Sequence, residues 1–121
     1  MMSNRDIQNL RINFVATIDK IESGELDLDD LNVNTLTKIY AISSILYYKF
    51  DHSILSDRNY DRLCKHLFDN IEQLNPHNMR LVGGSDESLK CGTGYHLVNE
   101  YFGFLRILQD IARNIFLERR K

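Results

Sequence analysis

From Ile7 to Leu74 apolar side chains return every three or four residues. That beat matches the turn of an α-helix, about 3.6 residues long. A chain written this way is constrained to a packed set of helices. The first helix is expected from Arg5 to Ile21, with Ile7, Leu10, Phe14, Ile18 and Ile21 on one face and Ser3 or Asn4 as its cap. Ser23-Gly24 ends it, and Glu25 to Asn34 reads as a connection tacked to the core by Leu26, Leu28 and Leu31. A second helix is expected from Thr35 to Phe50, capped by Asn34, with Leu36, Ile39, Tyr40, Ile42, Leu46, Tyr47 and Phe50 in register. Asp51-His52-Ser53 breaks the pattern as a turn. Ser56 opens a third helix with Asp57 in its first turn. Its stripe is Tyr60, Leu63, Leu67, Ile71 and Leu74, and Pro76 marks its stop.

Met79 to Tyr95 carries Gly83, Gly84, Gly92 and Gly94 among polar residues and reads as a loop, with a short extended piece at Met79–Val82. A last helix is expected from Tyr95 or His96 to Arg119, burying Leu97, Tyr101, Leu105, Leu108, Ala112, Ile115 and Phe116. The class is therefore all-α, a single domain of about four helices. A central αα-hairpin precedes a glycine-containing loop and a long C-terminal helix.

With 121 residues, 43% of them hydrophobic, the chain supports one core but not a binding domain plus a separate catalytic one. Its net charge of -2 gives no bulk attraction for nucleic acid or an anionic membrane, so direct DNA binding is disfavoured. No apolar run reaches the roughly 18 residues of a membrane span, and Met1 to Ile7 lacks a secretory layout. Cys64 and Cys91 form neither a CxxC pair nor a disulfide framework, and a reducing cytosol is the simplest expectation. Cys64 reads as a small core residue rather than a nucleophile. The scattered histidines 52, 66, 77 and 96 show no zinc spacing. The glycine pairs fit neither a P-loop nor a dinucleotide fingerprint.

The segment Tyr47 to Leu63 carries the chemistry. A short turn makes its flanking helices antiparallel, so Tyr47 and Tyr48 meet Asp57, Tyr60 and Asp61 at one end of the hairpin. Asp57 and Asp61 are four apart and share a helix face, with Tyr60 beside them. Aromatic faces and carboxylates together suit a flat cationic or amide-bearing ring and a diol. The same residues also have a purely structural reading. Asp57 favours the helix dipole, Asp61 pairs with Lys65, and Tyr47 and Tyr60 fill the core. Spacing alone leaves both open.

These residues carry a resemblance. YYKFDHSILSDRNYDRL resembles the N-terminal helical domain, domain Ia, of bacterial NAD-dependent DNA ligases. Tyr47, Tyr48, Asp51, Ser56, Asp57, Tyr60, Asp61 and Leu63 match its motif without a gap. The likeness is best over residues 36–74 and continues weakly into Arg80–Gly84, similar to the ligases' linker. It implies a pocket for the nicotinamide mononucleotide (NMN) half of NAD. There the position of Tyr47 stacks on nicotinamide, and those of Tyr48, Asp57, Tyr60 and Asp61 complete the site. His52-Ser53 stands where the family expects a proline, and Tyr48 where it often has histidine. Lys90 is followed by Cys91-Gly92-Thr93, so the nucleotidyl-accepting K-x-D-G motif is absent, and no enzymatic activity is expected of this chain alone.

Two functions follow as expectations. One is a non-enzymatic module that contacts another protein, such as a nucleic-acid-processing enzyme, or a second copy of itself, requiring no cofactor. Its sequence basis is the small size, the missing catalytic domain and the last helix, apolar over more than one face through Phe102, Phe104, Leu105 and Leu117. The other is a stand-alone NMN- or NAD-binding module.

Overall fold

The computed structural model describes residues 4–82, 97 and 103–119. Among these residues every regular element is helical. Helix α1 runs over Asn4–Ser23, α2 over Val33–Phe50, α3 over Asp57–Asp69, α4 over Pro76–Leu81 and α5 over Gly103–Arg119. Short 3-10 turns occupy Leu28–Asp30 and Ile71–Gln73. The all-α class read from the sequence is the observed one. The glycine-containing segment 83–96, and with it the expected start of the last helix at Tyr95 or His96, lies outside the described residues.

The helix ends follow from local chemistry. Gly24 closes α1 at φ 82°, a left-handed value that suits a residue without Cβ. Asn32, not Asn34, caps α2, its side chain accepting the Asn34 N–H at 2.8 Å. The helix starts earlier than the sequence suggests because Val33 is buried and joins it. Asn34 serves elsewhere: its Oδ1 accepts from Asn75 N at 3.1 Å and Asn78 Nδ2 at 2.7 Å, fastening α4 to the start of α2. Asp51 ends α2 in the left-handed region at φ 51°. Ser56 caps α3 as expected, accepting the Asn59 N–H at 3.2 Å.

Two expectations are corrected after Asp69. The apolar stripe runs on to Ile71 and Leu74, but α3 stops at Asp69 and the chain tightens into the second 3-10 turn. Pro76 then opens a helix rather than ending one. Its fixed φ suits the first helical position, where a missing N–H costs nothing, and Asn75 caps the turn by accepting Asn78 N at 2.9 Å. The extended piece expected at Met79–Val82 is thus mostly α4, and Leu81 and Val82 are fully buried.

Helix α2 is the centre of the core. Every residue from Ile39 to Leu46 is buried, the mark of a helix enclosed on all sides. It packs on α3, α4 and α5, and α5 packs in turn on α1. Helix α5 buries Leu105, Leu108, Ile111, Ala112 and Ile115, while α1 buries Phe14, Ile18 and Ile21. Phe116 stacks on Phe50 with ring centroids 4.8 Å apart, joining α5 to the end of α2. Each such leucine, isoleucine or phenylalanine taken from water stabilises the fold by about 1.5–3 kcal/mol. No helix among the described residues is long and apolar enough to cross a membrane.

Helix α3 is held at its start and in its middle by polar contacts. The Glu22 carboxylate, at the end of α1, accepts from Ser56 N at 2.6 Å and Asn59 Nδ2 at 3.1 Å. Further along, Arg62 pairs with Asp27 at 3.3 Å and Asp29 at 3.6 Å on the first 3-10 turn. The Arg62 pairs are solvent-exposed and orient more than they stabilise.

Candidate functional site

The α2–α3 hairpin holds an open cleft of about 260 Å³. Ile54 and Leu55 are buried and anchor the turn, which sets the end of α2 beside the start of α3. All five residues singled out from the sequence, Tyr47, Tyr48, Asp57, Tyr60 and Asp61, line this cleft, together with Ser43, Ser53, Ile54 and Leu55. Asp51, part of the same motif, is not among the lining residues. Its place is the left-handed cap that lets the chain turn back.

The tyrosines divide into two roles. Tyr47 is 51% exposed, so it is a surface residue and not part of the core. It meets Tyr48 edge to face at 4.9 Å. Tyr60 is half-buried and stacks on buried Tyr40 at 6.1 Å. Ser44 Oγ donates to the Tyr40 carbonyl at 2.7 Å, which leaves its lone pairs to accept the Tyr60 hydroxyl at 2.8 Å. Burial pushes the phenols of Tyr40 and Tyr60 well above the usual tyrosine range; the proximity of Tyr60 adds to it for Tyr40, and that of Cys64 for both. Both therefore stay protonated. Tyr60 accordingly offers the cleft its ring while its hydroxyl is committed to the fold.

Asp57 and Asp61 are exposed, and among the described residues neither is in an ion pair. The Asp61–Lys65 pair that spacing suggests does not form. Lys65 has an acid one turn away on either side and reaches Asp69 instead, at 2.9 Å. No lysine or arginine is among the described lining residues, so the cleft presents two carboxylates beside aromatic faces. Such an arrangement attracts a planar cation and accepts hydrogen bonds from hydroxyl or amide groups.

Ser43, Ser53, Ile54 and Leu55 were not among the sequence candidates. For Ser43 a signal exists: Ile42-Ser43-Ser44-Ile45 sets two hydroxyls inside an apolar helical run. Only one is accounted for. Ser43 is 4% exposed, and its Oγ has no hydrogen-bond partner.

Other groups are structural. Cys64 is buried, and burial pushes its thiol up to about 12, with the neighbouring Tyr60 hydroxyl working the other way. A thiol so protonated is a poor nucleophile at neutral pH. Among the described residues no group of three or more His, Cys, Asp or Glu is placed to hold a metal. Arg119, at the end of α5, pairs with Asp19 of α1 at 3.2 Å.

Comparison with protein-family models, with curated proteins and with solved structures finds no match to this chain.

Proposed function

We propose that the chain is a nicotinamide-nucleotide-binding module whose α2–α3 cleft receives the NMN half of NAD. The observation that carries this reading is the convergence of Tyr47, Tyr48, Asp57, Tyr60 and Asp61 on one open cleft. The pyridinium ring of NMN is flat and cationic. It lies against the exposed Tyr47 ring, a contact worth about 0.5–2 kcal/mol. Asp57 and Asp61 balance its charge and accept from the ribose hydroxyls. The resemblance of Tyr47–Leu63 to ligase domain Ia supports NMN as the ligand.

Calorimetric titration with NMN tests this. Binding is expected, weakened about tenfold by Tyr47→Ala, in line with loss of ~1.4 kcal/mol of ring contact. Asp57→Asn and Asp61→Asn are expected to weaken it as well. No heat of binding at millimolar NMN would overturn the proposal.

A second reading, contact with another protein or a second copy of the chain, rests on a different surface. Ile12 on α1 and Leu117 on α5 are 53% and 38% exposed. Shallow grooves between the two helices are lined by Ile7 and Leu117 together with charged residues of both signs, Arg11, Arg113, Asp110 and Glu118. Sedimentation velocity of the chain and of Leu117→Lys reads the homo-oligomeric version directly. Self-association lost in the variant supports it, and a monomer at every concentration removes it.

A further inference from the structure

Ser43 departs from how its helix treats the other buried serine and threonine. Inside a helix a buried serine or threonine ordinarily donates to the carbonyl four residues back. Thr37 does so to Val33 at 2.8 Å, and Ser44 does so to Tyr40 at 2.7 Å. Ser43 is nearly as buried as these, yet its Oγ has no partner. A buried hydroxyl left this way destabilises a fold and calls for an explanation. Its position supplies one. Ser43 lies one turn before Tyr47, on the same face of α2, and lines the cleft.

Resting on the nicotinamide reading of the cleft, we propose that Ser43 is a specificity-determining residue whose hydroxyl hydrogen-bonds the ring carboxamide of the bound nucleotide. A hydroxyl suits an amide in either direction, donating to its oxygen or accepting from its nitrogen. The surrounding charge narrows the choice further. A carboxylate in place of the amide would set one more negative group near Asp57 and Asp61, beyond the phosphate that both nucleotides carry, with no cation among the described lining residues to offset it. A ring without a substituent would leave Ser43 unpaired. The cleft therefore selects the amide over the acid and over the bare ring.

The test compares wild type and Ser43→Ala against NMN, nicotinic acid mononucleotide and the pyridinium nucleotide lacking the substituent. Wild type is expected to prefer NMN over the unsubstituted ligand about tenfold, the loss that follows when one buried hydrogen bond goes unmade. In Ser43→Ala that preference is expected to collapse to about one, with affinity for the unsubstituted ligand unchanged. Melting temperature is expected to rise in the variant, since no bond of the fold is lost; a purely structural serine would lower it. Nicotinic acid mononucleotide is expected to bind wild type more weakly than NMN, and equal affinity overturns the carboxamide assignment. If both pyridinium ligands bind and the variant keeps the wild-type preference, the role of Ser43 is refuted while the cleft reading stands. If neither binds wild type, the cleft reading falls and this inference with it.

Discussion

Two tyrosines, Tyr47 on α2 and Tyr60 on α3, separate ligand binding from folding. The Tyr60 hydroxyl is bonded to Ser44, so Tyr60→Phe is expected to cost about 1 kcal/mol of stability while NMN affinity stays within about twofold. Tyr47→Ala is expected to do the reverse. An exposed ring carries little of the fold, so stability should change by less than about 0.5 kcal/mol while binding weakens. Denaturant melts paired with calorimetry on the two variants check the contrast. If both variants lose stability and affinity together, the division of roles is wrong. Asp51 gives another single-residue test. Its φ of 51° suits glycine, tolerates aspartate and strains a β-branched side chain. Asp51→Gly should be neutral or stabilising, and Asp51→Val should cost about 1–2 kcal/mol in the same melts. Five lining residues were legible because an ordered run of tyrosines and aspartates straddles a turn. Ser43 was not singled out, because its meaning lies in a missing hydrogen bond, and spacing does not reveal which of two adjacent serines has a partner.

At the scale of elements, the start of α3 decides where Asp57, Tyr60 and Asp61 stand. It is held by its own cap and by a carboxylate from another helix, Glu22. Ser56→Ala removes one of these and is expected to cost about 1 kcal/mol. Glu22→Ala leaves the Ser56 N–H and Asn59 amide without their acceptor, and is expected to weaken NMN binding although Glu22 does not line the cleft. Melts and titrations of both variants measure this, and unaltered affinity in Glu22→Ala would show that the contact does not position the site. The sequence disclosed the bodies of α1 and α2 and the start of α3 closely, since apolar periodicity and the Ser56 cap are local, but it set the cap of α2 two residues late. It misplaced the stretch from Asp69 to Val82. There Ile71 and Leu74 continue the helical beat, yet Asn70 ends the helix and Pro76 begins another. Periodicity records which side chains face the core, and a 3-10 turn followed by a new helix can keep the same side chains inward. Nor did spacing disclose that Asn34 would fasten α4, a contact between residues 41 and 44 positions apart.

On the scale of the whole molecule, one buried helix carries both core and cleft, so the protonation of the core bears on global stability. Cys64, Tyr40 and Tyr60 all have their acidities lowered by burial. Below about pH 9 the Cys64 thiol is protonated in folded and unfolded chains alike, and its contribution is fully present. Above that the unfolded chain releases the proton while the folded chain holds it until about 12. The unfolded state then binds fewer protons, so stability falls as pH rises through this window, and the raised tyrosines act in the same direction. Denaturation at about pH 8 and about pH 11 should show the loss, reduced in Cys64→Ala; a flat profile would contradict the burial of these groups. The central claim, however, concerns where a nucleotide sits. Two-dimensional amide NMR during an NMN titration reads that directly. Shifts are expected to cluster from Ser43 to Asp61, at the end of α2, the turn and the first turns of α3. Spectra unmoved at millimolar NMN, or shifts confined to the α1–α5 surface around Ile12 and Leu117, would contradict it.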